Sequence, residues 1–362
     1  MPAEWEPHSA TWVAWPHHRA DWPGKFQPIP WVFAEIVRYL SRGERVEILV
    51  QDEADERLAR RVLNSAGVPL TDEPHGMSKT GVCFHCWPTD RIWIRDYGAI
   101  FVRKEADQSR NAAPQFSLGA TNWKFNAWAK YPNYKSDDRI AGKISRLVKV
   151  PEWQPTYEIG GKPVRVVLEG GSIDVNGQGT LITTEECLLS DVQQRNPGFS
   201  RADIEKVFSD YLGITKVIWL GRGIVGDDTH GHVDDITRFV APGTVVTVVE
   251  PDAGDPNHDP LRANLALLRQ AKDQDGKKLK VIELPMPAPV YFRGQRLPAS
   301  YANFYIANGV VLVPVFNDPN DRVALNILAD LFPDREIVGI ACRDFIWGLG
   351  AIHCMTQQQP AG

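Results

Sequence analysis

The stretch HGHVDDITRFVAPGTVVTVV, residues 230–249, runs from a polar opening into two apolar β-branched segments joined by a Pro-Gly turn. That order is the signature of a β-hairpin entered from a polar loop. Four other stretches share it loosely: IWIRDYGAIFV (92–102), LEGGSIDVNGQGTLI (168–182), YANFYIANGVVLVPV (301–315) and GAIHCMTQQ (350–358). The polar residues that open the five units are Asp96, Glu169, His232, Asn303 and Cys354, separated by 73, 63, 71 and 51 positions. Repetition at that interval suits one supersecondary unit arrayed around an axis. Recurrent hairpins in an ordinary mixed α/β chain are the alternative. Two acids, a base, an amide and a thiol would form a catalytic set if they met at one axis.

The rest of the chain supplies the other half of each unit. Helices are expected over 31–40, 52–66, 138–148, 201–212, 260–272 and 321–331. Ser200 before and Gly213 after one of them, and Asp259-Pro260 before another, are start and stop signals. RVEILV, VRVVLE, TKVIWL, KVIEL and EIVGI read as buried strands. No low-complexity linker divides the 362 residues, whose length suits two domains or one large one.

Hydrophobic residues make up 43% and charged residues 23%, which supports a sizeable core and argues against disorder. A formal net charge of −5 gives no bulk attraction to nucleic acid or anionic membrane. MPAEWEPHSATW lacks the basic start and apolar core of a secretory signal, and no apolar run reaches the ~20 residues of a membrane span. Five cysteines, an odd and sparse set, fit a reduced compartment. A cytoplasmic enzyme is the expectation.

Cys354 follows Gly348 and Gly350, which would let backbone approach a ligand closely; as a nucleophile it needs a cation or a base beside it. A buried structural cysteine is the alternative. GDDTHGHVDD (226–235) offers His232 as acid/base and Asp residues for a cationic substrate. In an extended strand, His230, His232 and Asp234 would share a face, a metallohydrolase-like set; a solvated acidic loop is the third reading. In IWIRDYG, Arg95 and Asp96 are either an ion pair or a carboxylate awaiting a cation. Glu169 precedes two glycines and is either a site acid or an exposed acid in a turn. Asn303 either lines the site or stabilises a turn. Cys83-Phe-His85-Cys86 has no second cysteine pair to complete a zinc site and reads as incidental. Trp87, Trp93, Trp123, Trp128 and Trp347 could wall a pocket for a flat cation.

The opening MPAEWEPHSATWVAWPH, with WIRDYG, LEGGSID, GDDTHGHVDD, SYANFYIANG and GAIHCMTQQQP, resembles the agmatine deiminase and Porphyromonas-type peptidylarginine deiminase family over essentially the whole chain. The resemblance implies a single α/β domain over 1–362, the pentein five-bladed α/β propeller of the guanidine-modifying enzymes. It implies Cys354 as nucleophile and His232 as general acid/base, with Asp96 and Asp234 holding the guanidinium and Glu169 orienting the histidine. No cofactor or metal is implied. One departure stands beside the nucleophile: GLGAIHC, where many agmatine deiminases read GGGNIHC. The expected partner is a small cationic guanidine, with neither nucleic acid nor membrane, and homo-oligomerisation is left open. Agmatine, giving N-carbamoylputrescine and ammonia on the way to putrescine in polyamine biosynthesis, is the expected substrate. Trp93 and Asn303 would line its site, and Asp227 and Asp228 lie where its far ammonium wants acids. Free arginine would instead need Arg222 or Arg238 for its carboxylate, and peptidylarginine an open groove.

Overall fold

A computed structural model describes residues 1–70, 78–105 and 116–362. Its main sheets repeat one topology. The strand that follows each opening residue pairs antiparallel with the next strand. That middle strand then pairs in parallel with a third, which a helix makes reachable by crossover. After Asp96 come Ile100–Glu105 and Phe116–Thr121, the helix Ile140–Val148, and Glu152–Trp153. After Glu169 come Asp174–Val175 and Thr180–Thr184, the helix Arg201–Leu212, and Lys216–Leu220. After His232 come Thr237–Ala241 and Thr244–Val249, the helix His258–Gln270, and Lys280–Pro285. After Asn303 come Tyr305–Ala307 and Val310–Val315, the helix Pro319–Leu331, and Glu336–Ala341.

The fifth blade is assembled from both ends of the chain. Gln357–Pro360, after Cys354, pairs antiparallel with His8–Ala14, so that Trp12 faces Gln357 and Thr11 faces Gln358. The helix Ile29–Gly43 then leads to the parallel strand Arg45–Val50, and Glu53–Ser65 to a fourth strand, Gly81–Cys86.

Five contacts between opening loops close the ring. Gly171 N donates to Asp96 Oδ1 at 3.0 Å. His232 Nε2 lies 3.6 Å from Glu169 Oε2. Asn303 Nδ2 donates to Asp235 Oδ1 at 2.9 Å and lies 3.1 Å from Cys354 Sγ. Arg95 N donates to Cys354 O at 3.2 Å. Each joins one blade to the next, and the architecture is a five-bladed α/β propeller.

The expected helices all form, with shifted ends in several cases. Ser200 caps Arg201–Leu212 through a capping box with Asp203. Asp259 does not cap its helix; His258–Gln270 starts a residue earlier, leaving Asp259 in the first turn, where an acid suits the dipole. VRVVLE departs further from its reading as a strand. Only Lys162–Arg165 is strand, in a small hairpin with Thr156–Ile159. Beyond it, the side chain of Asn196 satisfies the Val167 backbone, accepting from N at 2.9 Å and donating to O at 2.8 Å. A side-chain amide does there what a neighbouring strand would do.

Candidate active site

Every opening residue arrives at the axis buried: Cys354 is 6% exposed, Asp96 4%, His232 1%, and Glu169 and Asn303 0%. Asn303 fixes the sulfur. Its Oδ1 accepts from His353 N at 3.0 Å while its Nδ2 reaches Cys354 Sγ. The glycines before Cys354 work differently from the expectation. A Cβ on Gly350 would fall 2.8 Å from Trp93 Cζ3, and one on Gly348 2.6 Å from Trp22 Cζ2. They make room for two tryptophan rings, and both glycines also line the cavity, with Trp93 as part of its wall.

Two carboxylates flank the thiol. Asp96 Oδ2 accepts the Trp128 indole N–H at 2.9 Å and its Oδ1 accepts Gly171 N. Burial, reinforced by Asp234 and Glu169 and opposed by His232, pushes the Asp96 carboxyl up to about 6. Asp96 and Arg95 are not a pair: Arg95 donates to Gln358 Oε1 at 2.6 Å and to Glu4 Oε2 at 3.3 Å. Asp234 Oδ2 lies 3.7 Å from Cys354 Sγ and 2.7 Å from His353 Nδ1. The other His353 nitrogen meets Glu4 Oε2 at 2.8 Å, so an Asp–His–Glu chain supports this carboxylate from behind. Burial would raise Asp234, but the His353 hydrogen bond and charge hold it below the usual range. Burial and the carboxylates of Asp234, Asp235 and Asp96 push the Cys354 thiol well above its ordinary value.

His232 stands between these acids, its Nδ1 3.8 Å from Asp96 Oδ1. Burial opposes its charge, yet Asp96, Cys187 and Glu169 together hold its pKa well above the usual value. Arg195 grips both Glu169 oxygens at 3.2 Å and keeps that acid ionised against its burial. Neither ring nitrogen of His232, nor Asp234 Oδ1, has a hydrogen-bond partner. Buried polar atoms without partners are costly, and these three belong to two residues that both crowd the Gly171 backbone.

The extended strand that would align His230, His232 and Asp234 does not form. Residue 230 sits at φ 65° and its Nε2 reaches Ser190 Oγ at 3.1 Å. Among the described residues no converging set of ligand atoms holds those three together: His232 groups with Glu169 and Cys187, and Asp234 with Asp235 and Cys354. Asp227 stitches the loop instead, accepting from Thr229, Gly231 and His232 backbone N–H groups. Cys83 and His85 share a strand face with Glu47, away from this site, while Cys86 is exposed.

A cavity of about 380 Å³ leads to Cys354 and Asp96, walled by Trp93, Trp128, Tyr131 and Trp347 and reaching Asp228 and Asp21. The family profile described as Porphyromonas-type peptidyl-arginine deiminase matches residues 1–360. The chain belongs to this family. Among similar members, an agmatine deiminase of Stutzerimonas stutzeri (strain A1501) is 36% identical over 384 aligned residues, covering 100% of this chain and 95% of that protein. The solved agmatine deiminase of Enterococcus faecalis is 31% identical with a TM-score of 0.82, covering 99% and 95% of the two chains. A C. jejuni agmatine deiminase, solved as a Cys-to-Ser variant with substrate bound, is 27% identical with a TM-score of 0.82, covering 100% and 96%. These likenesses assign the five blades to the pentein fold.

For a member of the peptidyl-arginine deiminase family, the wall residues bear on which guanidine enters. Arg238 is fully buried and held by Asp174 at 2.5 Å and Glu4 at 2.8 Å, so it has no carboxylate to await. Arg222 is exposed and does not line the cavity. Asp228 does line it, with Oδ1 2.5 Å from Lys130 Nζ and Oδ2 2.7 Å from Tyr131 OH. Glu4, His353 and Arg195 carried no signal in the sequence, and of Trp128 only a place in a pocket wall was expected, not its bond to Asp96. Trp128 is the more unusual, since Ala127, Trp128 and Ala129 all lie at positive φ, from 51° to 58°. A left-handed run without glycine is strained, and this one delivers an indole to Asp96. No helix among the described residues is long and apolar enough to cross a membrane.

Proposed function

We propose that the chain hydrolyses the guanidinium of agmatine to N-carbamoylputrescine and ammonia through a covalent Cys354 thiouronium. The observation that carries this is the buried grouping of one thiol, two carboxylates and an imidazole, with Asp234 Oδ1 left without a donor. A guanidinium supplies what Asp234 Oδ1 lacks, a planar N–H donor, and offers further donors to Asp96 beside those of Trp128 and Gly171, in charge-assisted bonds that fix its carbon before the sulfur.

The charges explain the order of events. Without substrate the acids around Cys354 keep the thiol protonated. A bound cation partly offsets those acids and favours the thiolate, so the substrate arms its own nucleophile. The sulfur attacks the guanidinium carbon. His232 gives its proton to the departing nitrogen, which leaves as ammonia. Neutral His232 then takes a proton from water as its oxygen attacks the thiouronium. Collapse expels the thiolate and leaves the ureido product. Glu169, braced by Arg195, favours the protonated imidazole.

Steady-state kcat/KM for agmatine, free arginine and an arginine-containing peptide tests the substrate. Agmatine is expected to be preferred, and a preference for either of the others would remove the assignment while leaving the Cys354 chemistry in place. Asp96 must be ionised to hold the cation, so kcat/KM is expected to fall as pH drops through about 6. Trp128→Phe removes a donor that favours the ionised form, so this acid limb should move to higher pH; an unmoved limb would separate Trp128 from Asp96. Asn303→Ala should lower kcat at least about tenfold and cost about 1–3 kcal/mol of stability, because buried donors lose their acceptor. Kinetics at saturation with urea unfolding checks both, and an unchanged kcat would leave Asn303 a turn residue.

A further inference from the structure

We infer that Asp21 forms the far subsite of the cavity and receives the distal ammonium of the substrate on its unclaimed Oδ2, an inference that rests on the agmatine reading. Asp21 lines the same cavity as Cys354 and Asp96, and its side chain is only 4% exposed. Its Oδ1 is shared by Arg91 Nη1 at 2.5 Å and His18 Nδ1 at 2.9 Å, whereas its Oδ2 has no hydrogen-bond partner. A buried carboxylate oxygen without a donor, on a residue that lines a cavity, is the recognisable half of a polar contact. Burial raises the Asp21 carboxyl even with Arg91 and His18 beside it, so the group remains short of positive charge.

The neighbouring acid already holds a cation. Both Asp228 oxygens are engaged, by Lys130 and Tyr131, and a new cation there would compete with the lysine. Arg91, stacked 4.4 Å above the Tyr131 ring, braces Asp21 through the opposite oxygen and leaves Oδ2 free. The aromatic walls between the two ends suit a methylene chain. The ligand class is therefore a guanidine carrying a primary ammonium at the far end of an alkyl chain.

The test compares agmatine with 1-butylguanidine, the same chain ending in a methyl group, in the full-length enzyme and in Asp21→Asn. The wild-type enzyme should prefer agmatine at least about tenfold in kcat/KM. In the variant the agmatine-to-butylguanidine ratio should fall by about 10- to 100-fold, the usual weight of a hydrogen bond to a charged group. Because a ratio from one preparation does not depend on how much protein is folded, lost stability cannot imitate this result. An unchanged ratio overturns the subsite. If the variant turns over neither compound, the wild-type ratio decides, and a ratio near one overturns it. Wild-type preference for free arginine overturns it too, and points to the unpartnered Arg91 Nε–H as the head-group anchor. If wild type hydrolyses no guanidine at all, the chemistry proposed for Cys354 falls as well, which separates the two failures.

Discussion

Cys354→Ser is expected to lower kcat by at least about 10⁴-fold, on the order of 5 kcal/mol of barrier, with a melting temperature within a few degrees of wild type. The hydroxyl fits the same space and keeps the Asn303 Nδ2 donor and the nearby Asp234 oxygen as partners. What it lacks is acidity. A guanidinium that offsets the surrounding carboxylates can bring a thiol within reach of ionisation, but not an alkanol. Acid quenching during turnover should trap an adduct on Cys354 of the wild-type enzyme, seen by mass spectrometry as the added amidino group with its alkyl chain. Substantial activity in the serine variant, or no adduct under conditions where hydrolysis limits turnover, would remove the covalent route.

The charges needed for that chemistry were unevenly visible in the sequence. Four of the five opening residues were legible because each lies two to five positions before a hairpin, and hairpins announce themselves by local turn chemistry; Cys354 instead precedes the last strand, whose partner is the first. Their helices were legible for the same reason, through caps and apolar spacing. Support for those residues comes from much farther along the chain. Glu4, Asp234 and His353 belong to opposite ends and the middle of the sequence, and meet only because the first strand closes the last blade. Arg195 lies in a loop with no pattern, and its partner Glu169 was itself compatible with an exposed turn. Trp128 could pass for core, since nothing in NAWAK marks a left-handed turn. The strand expected at VRVVLE stopped at Arg165 by the same logic: Val166, Val167 and Leu168 are buried, but the N–H and C=O of Val167 are met by an asparagine side chain brought from elsewhere. Periodicity reports burial, not the identity of the hydrogen-bond partner.

Gly171 exposes a constraint of that non-local kind, and Gly171→Ala is expected to be nearly as damaging to activity as loss of a catalytic group. The residue lies in the turn Gly170–Ser172, between the opening acid of the second blade and its first strand. A Cβ there would stand 2.5 Å from His232 Nδ1, 2.9 Å from Asp96 Oδ1 and 3.0 Å from Asp234 Oδ2. One methyl group would therefore press on the general acid and on both carboxylates proposed to hold the guanidinium. None can retreat easily, because Asp96 is held by Trp128, Asp234 by His353, and His232 is fully buried. Displacements approaching 1 Å at reacting groups cost about 10²-fold, and several at once should bring kcat/KM down by about 10²- to 10³-fold. Overpacking of this kind should also destabilise the fold by about 1–3 kcal/mol. Gly243→Ala is the matched control, since a Cβ at that hairpin turn meets nothing within 4 Å and the variant should stay within about twofold of wild type. Kinetics at a temperature well below both melting transitions separates the two effects. A Gly171→Ala enzyme with near-wild-type kcat/KM would mean that the imidazole and the two carboxylates do not act from the positions described, and the mechanism built on them would have to be redrawn.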